Sequence, residues 1–278
     1  MSALSRRSRL AMVGAVLAAL VTGTITGTAE SAVAATSSHS PRPTVVLVHG
    51  AWADSSSWDG VVRRLLHDGY PVDVFPTPLR SLSGDADQLR TYLAAITGPV
   101  VLVGHSYGGA VVTGAATGNT AVTALVYVDA FAPAAGEAVL TLPGPGSVLA
   151  NPDPTQVFDL VPAGPPTATT DLYVKKSVFP SAFANDVPAR EAKLLAVTQR
   201  PVTLGALMEP SGDPAWLTIP SWYEVGTIDR VIPADVQTAM ATRAHSHITR
   251  VRTGHLPMVS DPRAVTRVIE SAAAATVH

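Results

Sequence analysis

Val100-Val101-Leu102-Val103-Gly104-His105-Ser106-Tyr107-Gly108-Gly109 is the stretch on which the reading of this chain turns. Its first four residues form a continuous apolar run. That is the pattern of a strand buried on both faces of a parallel sheet. From Gly109 to Thr117 small and apolar residues continue, and a helix is expected there. The serine between them stands in G-x-S-x-G, a strand-to-helix turn so tight that the positions two before and two after it have no room for a β-carbon. Gly104 and Gly108 meet that requirement. Such a turn lifts the serine Oγ clear of the backbone. The helix that follows aims its positive end at any negative charge developing there. Ser106 is therefore the candidate nucleophile.

Outward from this turn the chain alternates strand and helix. Towards the N-terminus, Thr44–Val48 reads as a first buried strand, Ser56–His67 as an amphipathic helix, Val72–Phe75 as a strand and Asp85–Ile96 as a helix. Beyond the turn, Ala124–Val128 is a further strand. The alternation implies a mostly parallel, twisted sheet flanked by helices. The rhythm breaks after Asp129. Residues 132–217 hold 13 of the 23 prolines, with a long Pro- and Gly-rich loop expected over 142–166 and short helical pieces around 170–176 and 188–199. A structureless stretch of that length inside a sheet domain is unusual and tends to be functional, so 132–217 is expected to be a lid inserted into the sheet. The strand pattern resumes at 221–225, followed by a helix over 234–243, a strand over 247–251 and a final helix over 262–275.

A serine hydroxyl is a poor nucleophile without a base. In sheets of this kind the order along the chain is serine, acid, histidine. Four of the eight histidines precede Ser106; the later four are His245, His247, His255 and His278. His255 follows the last strand and precedes a helix, which makes it the candidate base, whereas His245 and His247 fall at that strand's start. His49 more naturally braces its own loop. The acid that orients the imidazole is expected at Asp229, in a turn just past a strand, with Asp129 at the end of the fourth strand as the alternative. An oxyanion hole needs two backbone N–H groups: that of Tyr107, after the nucleophile, and one from the loop after the first strand, Ala51 or, second, Trp52. Trp52, Phe179, Phe183 and Met258 are the candidate substrate-binding residues, with Tyr107, Leu160 and Trp216 as further pocket candidates. His245-x-His247 lacks a third ligand at suitable spacing, so no metal site is expected.

Composition bounds the rest. Hydrophobic residues make up 47% and charged residues 14% of the 278, a core-rich balance. The formal charge is −2, with no basic stripe suited to nucleic acid. Without cysteine, disulfides, thiolate catalysis and Cys-ligated zinc are excluded. Arg6, Arg7 and Arg9, the apolar run Leu10–Val21 and Ala32-Val33-Ala34-Ala35 have the layout of a secretory signal peptide, with cleavage after Ala34 or Ala35. The apolar run is too short for a membrane anchor, which needs ~20 residues. The expected organisation is thus a signal peptide over 1–35, a flexible leader over 36–43 and one domain over 44–278, with a secreted product.

His49-Gly50-Ala51-Trp52, Gly104–Gly109, Gly226–Asp229 and Gly254-His255-Leu256-Pro257-Met258 together resemble the motifs of the α/β-hydrolase superfamily. More narrowly they resemble the branch with plant methyl-ester esterases and hydroxynitrile lyases. The resemblance spans residues 44 to about 275 and is weak over the expected lid. It implies the α/β-hydrolase fold and a cofactor-free Ser-His-Asp enzyme acting on small esters. The lyase members resemble one another in a threonine after the first-strand histidine and a lysine after the catalytic one, where this chain has Gly50 and Leu256. Lyase-like or cofactor-free perhydrolase activity, and a receptor-like binding role, are the alternatives that the same resemblance carries.

Overall fold

The computed structural model describes residues 42–276. The expected signal peptide and all but the end of the leader lie outside the described residues. The first half of the domain runs β1 (Thr44–Val48), α1 (Asp59–His67), β2 (Val72–Phe75), α2 (Leu82–Leu93), β3 (Val100–His105), α3 (Tyr107–Ala115) and β4 (Val122–Val128). The intervening segment carries β5 (Phe158–Val161), β6 (Asp171–Val174), α4 (Phe179–Ala182), α5 (Ala189–Thr198), β7 (Val202–Thr203) and α6 (Leu204–Met208). The chain then returns to the sheet with β8 (Ser221–Gly226), α7 (Ala234–Arg243), β9 (His247–Val251), α8 (Pro257–Ser260) and α9 (Pro262–Ala275).

Six strands form one sheet in the order β2-β1-β3-β4-β8-β9, each pair parallel. The expected alternation of strand and helix is the observed one. Every residue of β3 and β8 is buried, whereas β9, at the sheet edge, alternates exposed and half-buried positions. α1 packs with α9, which lies against β3, β4 and β8; α2 and α3 form a second pair, with α3 against β1, β3 and β4. α9 shows why: Val265, Val268, Ile269 and Ala272 fall on one stripe and are all buried. Burying each larger side chain contributes roughly 1.5–3 kcal/mol relative to exposure. Asp261 caps this helix by accepting from the Ala264 N–H at 3.1 Å.

The segment between β4 and β8 differs from expectation in two places. Residues 170–176 are not helical: Asp171–Val174 is strand β6, paired antiparallel with β5 and then with β7. Tertiary pairing overrides a weak local helical pattern here. The stretch 142–166 is not one structureless loop either, since it holds two short 3-10 turns and β5. The helix expected near 188–199 is α5.

This topology positions the site. The chain passes from β1 outward to β2 and then back across β1 to β3, so the loops after β1 and β3 diverge from a crevice at the carboxyl edge of the sheet. Ligands bind open parallel sheets at such a switch point. The loops after β8 and β9 leave the same edge, two and three strands from β3.

Candidate active site

Ser106 occupies the turn between β3 and α3 with φ 51° and ψ −124°, a left-handed backbone that costs free energy for a residue with a side chain. The two framing glycines are required by contact. A β-carbon at Gly104 would lie 2.6 Å from the Gly108 carbonyl oxygen, and one at Gly108 would lie 2.6 Å from that of Val48. The elbow is thus pressed against the end of β1. The loop after β1 is equally close, since a β-carbon on Gly50 would approach the Ser106 Cβ to 2.7 Å.

His255 Nε2 lies 2.9 Å from Ser106 Oγ, and His255 Nδ1 lies 2.8 Å from Asp229 Oδ2. With the Nδ1 proton donated to the carboxylate, Nε2 is left to accept from the serine hydroxyl. The Asp229 carboxyl is fully buried and fully engaged. Its Oδ1 accepts from the Val231 and Ile232 N–H groups at 2.7 and 3.1 Å, and its Oδ2 also accepts from Gln237 Nε2 at 2.9 Å. Gln237 is itself buried on α7 and donates further to the Ile232 carbonyl. The structure therefore separates the two acids left open by the sequence. Asp229 meets the imidazole, while Asp129 turns its Oδ1 to the Gly226 N–H at 2.6 Å.

Two other histidines support this arrangement. His49 donates from Nδ1 to the Gly50 carbonyl at 2.9 Å and accepts the Thr77 N–H at Nε2. Burial pushes its pKa down to about 4, so it is a neutral brace for the loop after β1, as expected. His105, also held neutral by burial, donates from Nε2 to the His255 carbonyl at 2.7 Å and fixes that residue's backbone.

Among the described residues, neither the Ala51 nor the Tyr107 N–H has an acceptor within the protein. Tyr107 opens α3, so its N–H lies where the helix dipole is positive. Its side chain leaves the site altogether: the hydroxyl donates to Asp85 Oδ2 at 2.9 Å. Tyr107 is therefore not a pocket wall.

The walls come from an aromatic cluster. Phe183 sets its ring edge-on to His255, with centroids 5.8 Å apart, and Phe179 stacks on Phe183. Trp52 meets Phe183 edge-on and stacks on Phe158, while its Nε1 donates to the Leu172 carbonyl at 2.8 Å. Met258 is buried in α8, which packs on α1 near Gly60. Trp216 donates to the Pro133 carbonyl, and Leu160 sits half-exposed in β5. Ser106 and His255 are only 2% and 1% exposed. A cavity of about 20 Å³, bordered by Trp52, Phe179 and Leu256, holds a water molecule at most.

Several participants gave no signal in the sequence. Asn185 donates to the Ile228 carbonyl at 2.9 Å, next to Asp229. Asp186 accepts from the Gly254 N–H at 2.8 Å, next to His255, and from Ser260 Oγ at 2.7 Å. Both lie in the segment between β4 and β8, beside Phe183. Their adjacent polar side chains amid proline-rich sequence look like an ordinary turn. His245 and His247 stand at the far end of β9, with His247 stacked on Trp222, and no group of three metal-ligating side chains is found among the described residues.

Residues 45–268 match the alpha/beta hydrolase family. The chain is 28% identical over 258 residues to the alpha/beta hydrolase nvfD of Aspergillus novofumigatus (strain IBT 16806), covering 85% of this chain and 99% of that one. It is 36% identical over 111 residues to the carbendazim hydrolyzing esterase of Nocardioides sp. (strain SG-4G), covering 35% and 46% respectively. Among solved structures, an extracellular alpha/beta-hydrolase from a Paenibacillus species, described as sharing homology with tobacco salicylic acid binding protein 2, superposes with a TM-score of 0.71. That match covers 83% of this chain and 99% of that one at 20% identity. The α/β-hydrolase resemblance read from the four motifs agrees with the family match.

Proposed function

The chain belongs to the alpha/beta hydrolase family, and from that footing we propose that it is a serine-dependent carboxylic ester hydrolase acting on small esters. The observation that carries the reading is the unbroken line Asp229–His255–Ser106, with hydrogen-bond distances of 2.8 and 2.9 Å, beside two backbone N–H groups without an acceptor among the described residues. Ser106 Oγ attacks the ester carbonyl while its proton passes to His255 Nε2. Asp229 stabilises the imidazolium and holds its tautomer. The carbonyl oxygen, now negative, accepts from the Ala51 and Tyr107 N–H groups at the positive end of α3. His255 then protonates the departing alkoxide, leaving an acyl-serine. Water, activated by the same imidazole, attacks this acyl group and releases the acid.

The aromatic walls favour apolar acyl or alkoxy groups. A relative named for hydrolysing carbendazim, together with the family match, supports ester-type chemistry. With Ser106 and His255 this deeply buried, the site must open to admit an ester. We assign that movement to the segment 132–217 as a lid carrying Phe179 and Phe183. Residues 1–35 are proposed to direct export.

Ser106→Ala tests the reading. The variant should melt like the parent, lose kcat on nitrophenyl esters by on the order of 10³–10⁶-fold, and escape labelling by a fluorophosphonate. Retained turnover, or labelling at another serine, would overturn the assignment.

A further inference from the structure

Behind the Ser106–His255–Asp229 line lie two carboxyl groups that the proposed chemistry does not use. Asp129 directly follows β4, and Glu224 lies in the neighbouring β8; both are fully buried. Each has one oxygen engaged with a loop of the site. Asp129 Oδ1 accepts the Gly226 N–H at 2.6 Å, three residues before Asp229. Glu224 Oε1 accepts from Thr253 Oγ1 at 3.2 Å, two residues before His255. The other oxygens, Asp129 Oδ2 and Glu224 Oε2, are buried with no donor at all. Two carboxylates in that position would each bear an unsatisfied charge, which burial strongly disfavours. A single proton held between the two side chains removes both faults, and the adjacent strands bring the two residues together, with the Asp129 N–H donating to the Glu224 backbone carbonyl at 3.2 Å.

We propose that Asp129 and Glu224 form a carboxylic acid–carboxylate pair that shares one proton and, as positioning residues, holds the Asp229 turn and the His255 loop in register. The proposal rests on the catalytic reading of those two residues. The surroundings suit a pair that keeps one proton. Asp229 faces it from the turn after β8 and Asp261 from the start of α9, both acidic, and Tyr223 lies beside it in β8. Among the described residues no lysine or arginine bonds to either carboxyl. Gly226 is part of the design, since a β-carbon there would overlap the Asp129 carboxyl. Burial and this company raise both groups, so the pair keeps its proton at neutral pH. Loss of the shared proton puts a second negative charge beside Asp229 and breaks the link between the two loops.

The test compares the parent with Glu224→Gln and Glu224→Ala from about pH 6 to pH 9, reading kcat and KM on a nitrophenyl ester, the rate of fluorophosphonate labelling, and the melting midpoint. In the parent, kcat and labelling rate should fall as pH rises from neutrality towards 9, with KM steady. Glu224→Gln donates an amide N–H where the proton stood; it should keep kcat within about threefold at pH 7 and lose the alkaline fall. Glu224→Ala should lose kcat by about tenfold or more at unchanged KM. An alkaline fall that persists in Glu224→Gln, or full kcat in Glu224→Ala, would overturn the positioning role. A parent that neither turns over esters nor labels overturns the hydrolase reading instead. In that case the pair is judged by melting alone. The parent midpoint should decline from pH 6 to pH 8 and that of Glu224→Gln should not; equal profiles refute proton sharing.

Discussion

At Asp229 each carboxylate oxygen is committed: one to two backbone N–H groups, the other to Gln237 and His255. A carboxylate fixed on both sides holds the imidazole in one tautomer and one orientation, which is the role the proposed chemistry requires. Asp229→Asn keeps the shape but can present an amide N–H to Nδ1 and so favour the wrong tautomer. A loss of ~10⁴-fold in kcat is expected by analogy with a well-studied triad. Asp129→Asn, whose amide still spans Gly226 and Glu224, should stay within about threefold of the parent. Steady-state kinetics on both variants checks the ranking, and the reverse order would move the acid's role to Asp129. The local sequence favours Asp229 for its turn, yet each aspartate follows a strand at the same sheet edge, so contacts and not sequence separate them.

At the scale of elements, the segment between β4 and β8 does more than cover the serine. Phe183 closes over His255, and two and three residues later Asn185 and Asp186 grip the loops of Asp229 and His255. Wall and clamp therefore lie on one short stretch after α4. A movement of this stretch away from His255 would also release the loops that carry Asp229 and His255. Asp186→Ala removes the acceptor for the Gly254 N–H and for Ser260 Oγ, leaving a backbone donor unpaired at a cost of about 1–3 kcal/mol. We expect a lower melting midpoint and a fall in kcat of about tenfold or more with KM little changed, whereas Phe183→Ala should change KM and the preferred ester while Ser106 still labels. If Asp186→Ala leaves kcat intact, the clamp is not coupled to the chemistry. α4 and β6 show the limit of periodicity as a guide: 170–176 could not be recognised as a strand, because its partners β5 and β7 come from about 10 residues before it and nearly 30 after it.

For the whole molecule, buried titratable groups set how stability depends on pH. His49 has a folded pKa near 4, below its ordinary 6.5, so the unfolded chain takes up the extra proton. Its contribution is full above about 6.5 and is lost as pH falls through about 4, an effect of ~3 kcal/mol. His105 acts in the same direction. Glu224 has the opposite sign: its folded value near 8 lies above its ordinary 4.5, so its stabilisation is full below about 4.5 and is lost as pH rises through about 8. Between about 4.5 and 6.5 the two oppose each other, and above 6.5 the carboxyl pair alone remains. Denaturant midpoints should therefore stay nearly level between about pH 4.5 and 6.5 and decline towards both pH 8 and pH 4. A midpoint that rises steadily to pH 8 would contradict these assignments.

By itself the sequence determined the alternation of strand and helix, the elbow at Ser106, His255 as candidate base and Asp229, ahead of Asp129, as candidate acid. These are local statements: a buried strand is a run of apolar residues, a tight turn is a pair of glycines, and a chain order survives without knowledge of contacts. Tertiary structure alone decided which aspartate meets the imidazole and which lies beside Glu224. It also decided that Asn185 and Asp186 reach the site, and that residues 171–174 pair as a strand. Each of those outcomes depends on groups distant in sequence being brought within about 3 Å of one another, and hydrogen-bond partners at that separation are fixed by strand order and packing, not by neighbouring residues.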